Sequence, residues 1–401
     1  MVPAIRFEEF DGEWVESQLG KQLEISSASR VHKEEWTKEG VPFFRTSDVV
    51  ARFKGTENSK AFISPKLFKK LSAKSGAVEK GDLLVTGGGS IGIAYLIDSN
   101  DPLYFKDADL LWLKNRSGIS GYYLYTFFVS QPFRKYVNSI SHVGTISHYT
   151  IEQAKVTPIN VPTPREQTKI GEYFQELDAL IAGHQKKREK LLQIKKSLLE
   201  KMFPKQGQDK PKVRFAGFDG DWKRKPLGSL GSVAMNKRVF REQTSDVGDV
   251  PFFKIGTFGG LPDAFISREL FDEYKAKYPF PEAGDLLISA SGSIGRVVEY
   301  NGANQYYQDS NIVWLKHDGK IDNSFLKVFY SRVKWSGLEG STIKRLYNKN
   351  ILETLISFPS SKEQTKIGKL FKHTDTLINQ HQSQIDKLNN IKQACLAQMF
   401  V

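Results

Sequence analysis

Residues 165–203 read REQTKIGEYFQELDALIAGHQKKREKLLQIKKSLLEKMF, and residues 362–400 read KEQTKIGKLFKHTDTLINQHQSQIDKLNNIKQACLAQMF. Glu166-Gln167-Thr168-Lys169-Ile170-Gly171 returns letter for letter as Glu363-Gln364-Thr365-Lys366-Ile367-Gly368, and the match runs without a gap to Met202-Phe203 and Met399-Phe400. A match of that length is a duplication. Its spacing predicts a helix in each copy. In the first, Ile170, Phe174, Leu177, Ile181, His184, Leu191, Ile194, Leu198 and Met202 recur at steps of three, four or seven. In the second, Ile367, Phe371, Ile378, His381, Ile385, Leu388, Ile391, Cys395 and Met399 do the same. That is a heptad-like seam with polar flanks. At about 1.5 Å per residue each helix would be roughly 60 Å long. A lone amphipathic helix is marginal in water, so the two copies are expected to pair, antiparallel, as a coiled-coil rod. The pairing residues would be Ile170, Phe174, Ile181, Leu191 and Leu198 against Ile367, Phe371, Ile378, Leu388 and Cys395. The alternative is two helices buried separately in two globular cores. His184 and His381 hold equivalent seam positions, where a polar residue fixes register.

The flanking sequence repeats too. Trp14, Leu19-Gly20, Val41-Pro42-Phe43-Phe44, Gly81-Asp82-Leu83-Leu84, Gly89-Ser90-Ile91-Gly92 and Trp112-Leu113-Lys114 return in order. Their counterparts are Trp222, Leu227-Gly228, Val250-Pro251-Phe252-Phe253, Gly284-Asp285-Leu286-Leu287, Gly292-Ser293-Ile294-Gly295 and Trp314-Leu315-Lys316. Between these anchors the copies diverge, as in Gln22–Gly40 against Val233–Asp249. Short apolar runs punctuated by Gly, Pro and Ser predict a strand-rich α+β unit in each half, with one or two helices in its C-terminal third, among them Gly121–Tyr136. The partition expected is 1–164, a helix over 165–203, 204–361, and a helix over 362–401. The junction Met202-Phe203-Pro204…Val213-Arg214-Phe215 resembles the end and start of the chain laid together, Met399-Phe400-Val401 and Ile5-Arg6-Phe7. Such a cyclic, pseudo-two-fold sequence predicts neighbouring termini, with Gly207–Lys210 as an exposed linker.

Composition narrows the function. The chain has 401 residues, 58 Lys and Arg against 45 Asp and Glu, and a net charge of +13. The surplus points to an anionic partner, nucleic acid first. Cys395 is the only cysteine, which excludes an intrachain disulfide and a cysteine-only metal site. The N-terminus lacks a signal-peptide core and no run of about twenty apolar residues exists. A cytoplasmic protein without a membrane span is expected.

No catalytic constellation is found. Gly87-x-Gly89-x-x-Gly92 fits a dinucleotide fingerprint by letters alone, because the second copy keeps only its last two glycines and no acid-bearing βαβ unit follows. It reads as a tight turn between strands, either a plain hairpin or one that brings backbone N–H groups and a serine to phosphate. Asp263 with Glu273 and Lys275 has a nuclease-like order, but the first copy has no counterpart. There is no Walker lysine motif and no Asn-Pro-Pro-aromatic tetrapeptide for base amino-methylation. His142, His148, His317 and His373 lack a second ligand at metal spacing. Basic and aromatic residues gather instead in the divergent stretches: Arg30, His32 and Lys33; Arg45, Arg52 and Lys54; Asn236, Lys237 and Arg238; Lys254; and Lys344, Arg345 and Tyr347. With Ser90, Ser293 and His148 these are the candidate DNA contacts. Arg and Asn can bond base edges in pairs, while Lys and Ser position phosphates.

The duplicated half, the twice-used Glu-Gln-Thr-Lys-Ile-Gly start, Gly-Ser-Ile-Gly in each unit and Trp-x-x-x-x-Leu-Gly at each opening resemble one family over the whole chain. It is the specificity subunit of bacterial type I restriction–modification systems. The resemblance implies a non-catalytic subunit in which 1–164 and 204–361 are target-recognition domains. Each would read half of an asymmetric bipartite site in double-stranded DNA. The helices would space the two domains and dock two modification (methyltransferase) subunits. Those partners would carry S-adenosylmethionine and methylate adenine, and restriction (motor/nuclease) subunits would add ATP and Mg chemistry, with no cofactor on this chain. A nuclease built on Asp263, Glu273 and Lys275 and a coiled-coil adaptor that never touches DNA are the rival readings.

Overall fold

The computed structural model of the chain describes residues 1–106, 110–141, 148–205, 207–335 and 345–401. The chain is α+β and divides into two compact units. Unit 1 comprises Met1–Lys186 with Gln382–Val401, and unit 2 comprises Lys187–His381. The boundary falls inside both long helices, so each unit holds part of both.

Unit 1 opens with β1 (Val15–Gln18), α1 (Leu19–Gln22), β2 (Glu24–Ser26), β3 (Trp36–Thr37), β4 (Val41–Phe44), α2 (Thr46–Lys54), β5 (Phe62–Ile63) and α3 (Pro65–Ser75). It continues with β6 (Leu83–Thr86), β7 (Ala94–Leu96), β8 (Tyr104–Phe105), β9 (Leu110–Lys114), α4 (Gly121–Val129), α5 (Gln131–Ser141), α6 (Ile151–Val156) and β10 (Pro158–Val161), then enters α7 (Pro164–Lys201). One sheet has the order β2-β9-β6-β7 and a second the order β3-β5-β4-β8, while β1 pairs antiparallel with β10. Strands β6 and β9 are buried along almost their whole length, which explains why Leu83-Leu84-Val85 and Leu110–Leu113 read as continuous apolar runs rather than alternating ones. The single helix expected over Gly121–Tyr136 is two. Pro132 cannot donate a helical hydrogen bond and resets the chain at Ser130, whose N–H turns back to Phe127.

Unit 2 repeats the plan with β11 (Lys223–Pro226), β12 (Ser232–Ala234), β13 (Val250–Phe253), β14 (Phe265–Ile266), α8 (Arg268–Lys277), β15 (Leu286–Ser289), β16 (Val297–Glu299), β17 (Tyr306–Tyr307), β18 (Ile312–Lys316), α9 (Asn323–Tyr330), α10 (Asn348–Glu353) and β19 (Leu355–Phe358), ahead of α11 (Ser361–Gln398). The order β12-β18-β15-β16 matches β2-β9-β6-β7, β11 pairs with β19 as β1 does with β10, and β13 runs parallel to β17 as β4 does to β8.

Within unit 1, α7 and α11 run antiparallel: Tyr173 Oη lies 3.5 Å from Cys395 Sγ, and Asp178 pairs with Lys392 farther along. Within unit 2 they do so again, with Lys195 Nζ 2.5 Å from Asp375. Ile170, Phe174, Ile181, Ile367, Phe371 and Ile378 are buried. Leu388 and Cys395 pack on the unit 1 core and Leu198 on that of unit 2. Leu191 is half-buried. Ile194, expected on the seam, is instead 41% exposed; Lys195 one residue on turns inward to Asp375. The seam drifts because 3.6 residues per turn does not divide seven.

The repeated Glu-Gln-Thr-Lys-Ile-Gly segment is a joint. The Glu166 carboxylate is buried and takes Arg6 Nε and Nη2 at 2.7 and 2.8 Å and Trp14 Nε1 at 3.2 Å. Gln167 donates to the Pro162 carbonyl and accepts from the Ser120 N–H at the start of α4. In unit 2, Glu363 takes both nitrogens of Arg214 at 2.7 Å, and Gln364 bridges Pro359 and Asp322. Gly171 and Gly368 let each long helix close on α4 and α9: an added Cβ would lie 2.8 Å from Ser120 Oγ or 1.8 Å from Ser324 Oγ. The helix ends complete the cores. Phe400 stacks on Tyr123 at 5.5 Å, and Phe203 on Phe325 at 5.6 Å. The chain termini meet as expected, Ile5 N–H donating to Gln398 at 3.1 Å and Asn160 Nδ2 to Val401 at 2.6 Å. Val213 and Lys201 make the equivalent bond at the covalent junction in unit 2.

Candidate DNA interface

The Gly-Ser-Ile-Gly motif forms a hairpin in each unit, between β6 and β7 and between β15 and β16. In unit 1 the Thr86 hydroxyl sits inside the turn, donating to the Ser90 carbonyl and accepting from Ile93 N–H at 2.9 Å, while Gly92 N–H returns to the Thr86 carbonyl. Ser289 does the same in unit 2, with Ser293, Arg296 and Gly295. Gly89, Gly92, Gly292 and Gly295 have positive φ, between 62° and 80°, which explains the glycines. Gly92 also lies against Phe133, and Gly295 against the Trp335 indole; a Cβ would come within 2.8 and 2.7 Å of them. The turns are built from within, and Ser90 and Ser293 stand exposed at their tips.

A second segment joins each hairpin. Tyr149 N–H donates to the Gly87 carbonyl at 2.8 Å and Leu346 N–H to the Ala290 carbonyl at 2.8 Å. His148, exposed, and Arg345, half-buried, therefore hold equivalent places beside the two hairpins. The Arg345 guanidinium donates to the Ser310 carbonyl at 2.9 Å, and Ser310 has φ +53°, a left-handed backbone that a non-glycine residue adopts at a cost. Ser291 Oγ bonds Asn311 Oδ1 beside it. Tyr347 is 63% exposed. So the segment that carries His148 borders the hairpin of Ser90, and the segment that carries Arg345 and Tyr347 borders the hairpin of Ser293. Lys344 lies outside the described residues.

The remaining candidates divide between free and engaged cations. Arg52 on α2 is exposed and its guanidinium lies over Phe44 and Tyr95, 6.0 and 5.7 Å from the ring centroids. The rings restrain an otherwise flexible fork, and burial next to that cation still leaves the Tyr95 hydroxyl raised above its ordinary value. Lys54 ends the same helix, exposed. Arg45 is engaged: it chelates Asp48 at 2.8 and 3.1 Å, bonds the Ser59 carbonyl, lies over Trp36, and has its proton held more tightly by the Asp48 hydrogen bond. Lys254 is paired with Asp263 at 2.9 Å. Arg30, His32 and Lys33 are exposed in the loop after β2, where the His32 N–H is capped by Glu35. Asn236 is buried, so Lys237, over Tyr278, and Arg238, over Phe240, are the outward members of that cluster. Two cations outside the candidate set are engaged as well: Lys114 lies over Trp112 and pairs with Glu24, and Arg296 donates to the Gly259 carbonyl at 3.0 Å.

Asp263, Glu273 and Lys275 are not assembled. Asp263 holds Lys254, Glu273 holds Lys277 at 3.0 Å, and Lys275 lies over Phe271 and Phe280. Among the described residues no group of three His, Cys, Asp or Glu side chains is placed to hold a metal, and no helix is long and apolar enough to cross a membrane.

A family model described as the type I restriction modification DNA specificity domain matches residues 11–193 and again 219–390. The chain belongs to the type I restriction–modification DNA specificity family. A Haemophilus influenzae protein named as a type I restriction enzyme specificity subunit, S.HindORF215P, is 53% identical over 154 residues, covering 38% of this chain and 40% of that relative. The chain thus spans well under half the length of that relative. The MjaX specificity subunit of Methanocaldococcus jannaschii is 24% identical over 329 residues, 75% of this chain and 72% of its own length. The solved type I system S subunit from M. genitalium superposes with a TM-score of 0.65 over 100% of this chain and 99% of its own, at 16% identity. A structure from work on complex assembly and conformational transition of the type I R-M system gives 0.51 over 97% of each chain, also at 16%. At those identities the two structures show the fold of the family. The twice-matched family model coincides with the duplication: each match covers one hairpin with its anchors and one long helix start.

Proposed function

We propose that this chain is the DNA-reading subunit of a type I restriction–modification complex and that each unit reads one half of an asymmetric bipartite site. The observation that carries this is the pair of equivalent loci with unlike side chains: Ser90 with His148 in unit 1, Ser293 with Arg345 in unit 2. One scaffold repeated with different donors gives two readers of one geometry and two sequences. The hairpin tips and exposed lysines position phosphates; Arg52, Arg345 and the exposed cations after β2 and β12 reach base edges. The long helices set the gap between half-sites and dock two methyltransferase subunits. Those partners hold S-adenosylmethionine and methylate adenine, which must leave the stack to be reached, and restriction subunits hydrolyse ATP with Mg and cut unmodified DNA. This chain itself catalyses nothing and works in the cytoplasm. Mapping N6-methyladenine across a genome, with the partner genes present and this chain present or deleted, tests the reading. One asymmetric motif with a fixed gap should lose its methylation; an unchanged map contradicts the proposal.

A further inference from the structure

Unit 2 contains a cavity of about 550 Å³ between α9, β16 and the start of α11. Val297, Val328 and Phe371 give it apolar walls, and the Lys195–Asp375 pair closes one side. Tyr330 also lines it, and its hydroxyl is buried with no hydrogen-bond partner among the described residues.

Unit 1 shows what the same space holds. Helix α4 (GYYLYTFFV) and α9 (NSFLKVFY) align through Leu124 with Leu326 and Phe127 with Phe329, so Tyr122 corresponds to Ser324 and Tyr125 to Lys327. In unit 1, Tyr122 crosses from α4 to α7, packs on Tyr125 at 5.3 Å and donates its hydroxyl to Asp178 Oδ2 at 2.6 Å, while Lys392 takes Oδ1. Asp375 corresponds to Asp178 and Lys195 to Lys392. Lys195 takes Asp375 Oδ1 at 2.5 Å, and among the described residues no donor reaches Oδ2. Phe371, the carboxylate and its lysine are repeated, as Phe174, Asp178 and Lys392 in unit 1, whereas the phenol is not.

We propose that the unit 2 cavity is a binding site for a phenol ring, which enters where Tyr122 lies in unit 1 and donates its hydroxyl to Asp375 Oδ2. Binding is reversible, and the ligand is any molecule presenting an unhindered phenol.

The test uses the full chain and p-cresol, followed by ligand-observed NMR and thermal unfolding, with toluene as the hydroxyl-free control. Wild type should bind p-cresol saturably and toluene about tenfold or more weakly, the range for a hydrogen bond to a charged group. Asp375→Asn should weaken p-cresol by a similar factor, and Ser324→Tyr should abolish binding while leaving DNA affinity unchanged. Tyr122→Ser opens the unit 1 copy: its lowered melting temperature should be restored by p-cresol, a readout that survives if Ser324→Tyr fails to fold. Equal p-cresol and toluene affinities, or no binding of p-cresol to wild type at millimolar concentration, would overturn the proposal. The source of the ring separates in the assembled complex: p-cresol still binds if the natural ligand is a free phenol and is excluded if a partner's tyrosine fills the site.

Discussion

Glu166 and Glu363 occupy the same joint with one difference. Trp14 adds a third hydrogen bond to Glu166, whereas the Trp222 Nε1 in unit 2 is buried without a partner among the described residues. Both carboxylates are almost fully buried and satisfied chiefly by one arginine, so removing Arg6 or Arg214 strands a buried charge. Arg6→Ala is expected to cost about 3 kcal/mol by urea unfolding, the low end for breaking a buried pair, because Trp14 remains; Arg214→Ala should cost more. Asp322 makes one joint pH-sensitive. Burial pushes its carboxyl up, but hydrogen bonds from Ser324, Thr365 and the backbone N–H groups of Ser324 and Phe325 outweigh that and hold it below the ordinary value. A depressed folded value means stabilisation that is present above the unfolded pKa of about 3.9 and lost as pH falls through the folded value. Melting temperature measured from pH 5 downward should therefore drop less steeply for Asp322→Asn than for wild type. In unit 1 the equivalent position is Ser120, which carries no carboxyl to titrate.

At the scale of the element, the glycines of α7 and α11 separate joint from free helix. Gly368 meets Ser324 so closely that an added Cβ would need the helix to move, and Gly183 has nothing within 4 Å of where its Cβ would be. Gly183→Ala should stabilise by about 0.5–1 kcal/mol through helix propensity, and Gly368→Ala should destabilise by about 1–3 kcal/mol through overpacking; chemical denaturation of the two variants decides. These elements also show what was legible in the sequence. The long helices were readable because Ile170, Phe174, Ile367 and Phe371 keep a period that only a helix satisfies. The strands were readable as anchors, because β6 and β15 carry the same buried run. Ile194 was misplaced because the step Leu191–Ile194–Leu198 is out of phase with the earlier heptads, and spacing alone does not say which residue of a drifting seam turns outward. Gly121–Tyr136 was read as one helix because its aromatic residues hid the weight of Pro132. Among the candidate DNA contacts, residue type marked Arg45 and Arg52 alike. Only the fold separates them, since Asp48 lies one helical turn from the first and the Phe44–Tyr95 platform lies under the second. The bond between Tyr149 and Gly87 joins residues far apart in sequence, and no spacing rule points to it.

For the whole molecule, the closed sequence repeat has a covalent consequence. The termini are hydrogen-bonded neighbours within unit 1, and the junction Gln208–Lys210 of unit 2 is exposed. A chain opened within Gly207–Lys210, with Val401 joined to Met1 through a short linker, should fold and support the same methylation pattern, because no core residue is cut. The electrostatic account predicts DNA affinity that falls steeply with salt. Arg52→Ala should lower both the affinity and the sequence preference, whereas Lys54→Ala should lower affinity uniformly and reduce the salt slope by about one.

That each unit reads its own half of the site is tested by the N6-methyladenine map of cells whose only copy of this chain carries Arg345→Ala with Tyr347→Ala. Those residues belong to unit 2 alone. One half of the bipartite motif should become degenerate, while the other half and the gap stay as in wild type. Relaxation of both halves, a changed gap, or an unaltered motif would contradict it.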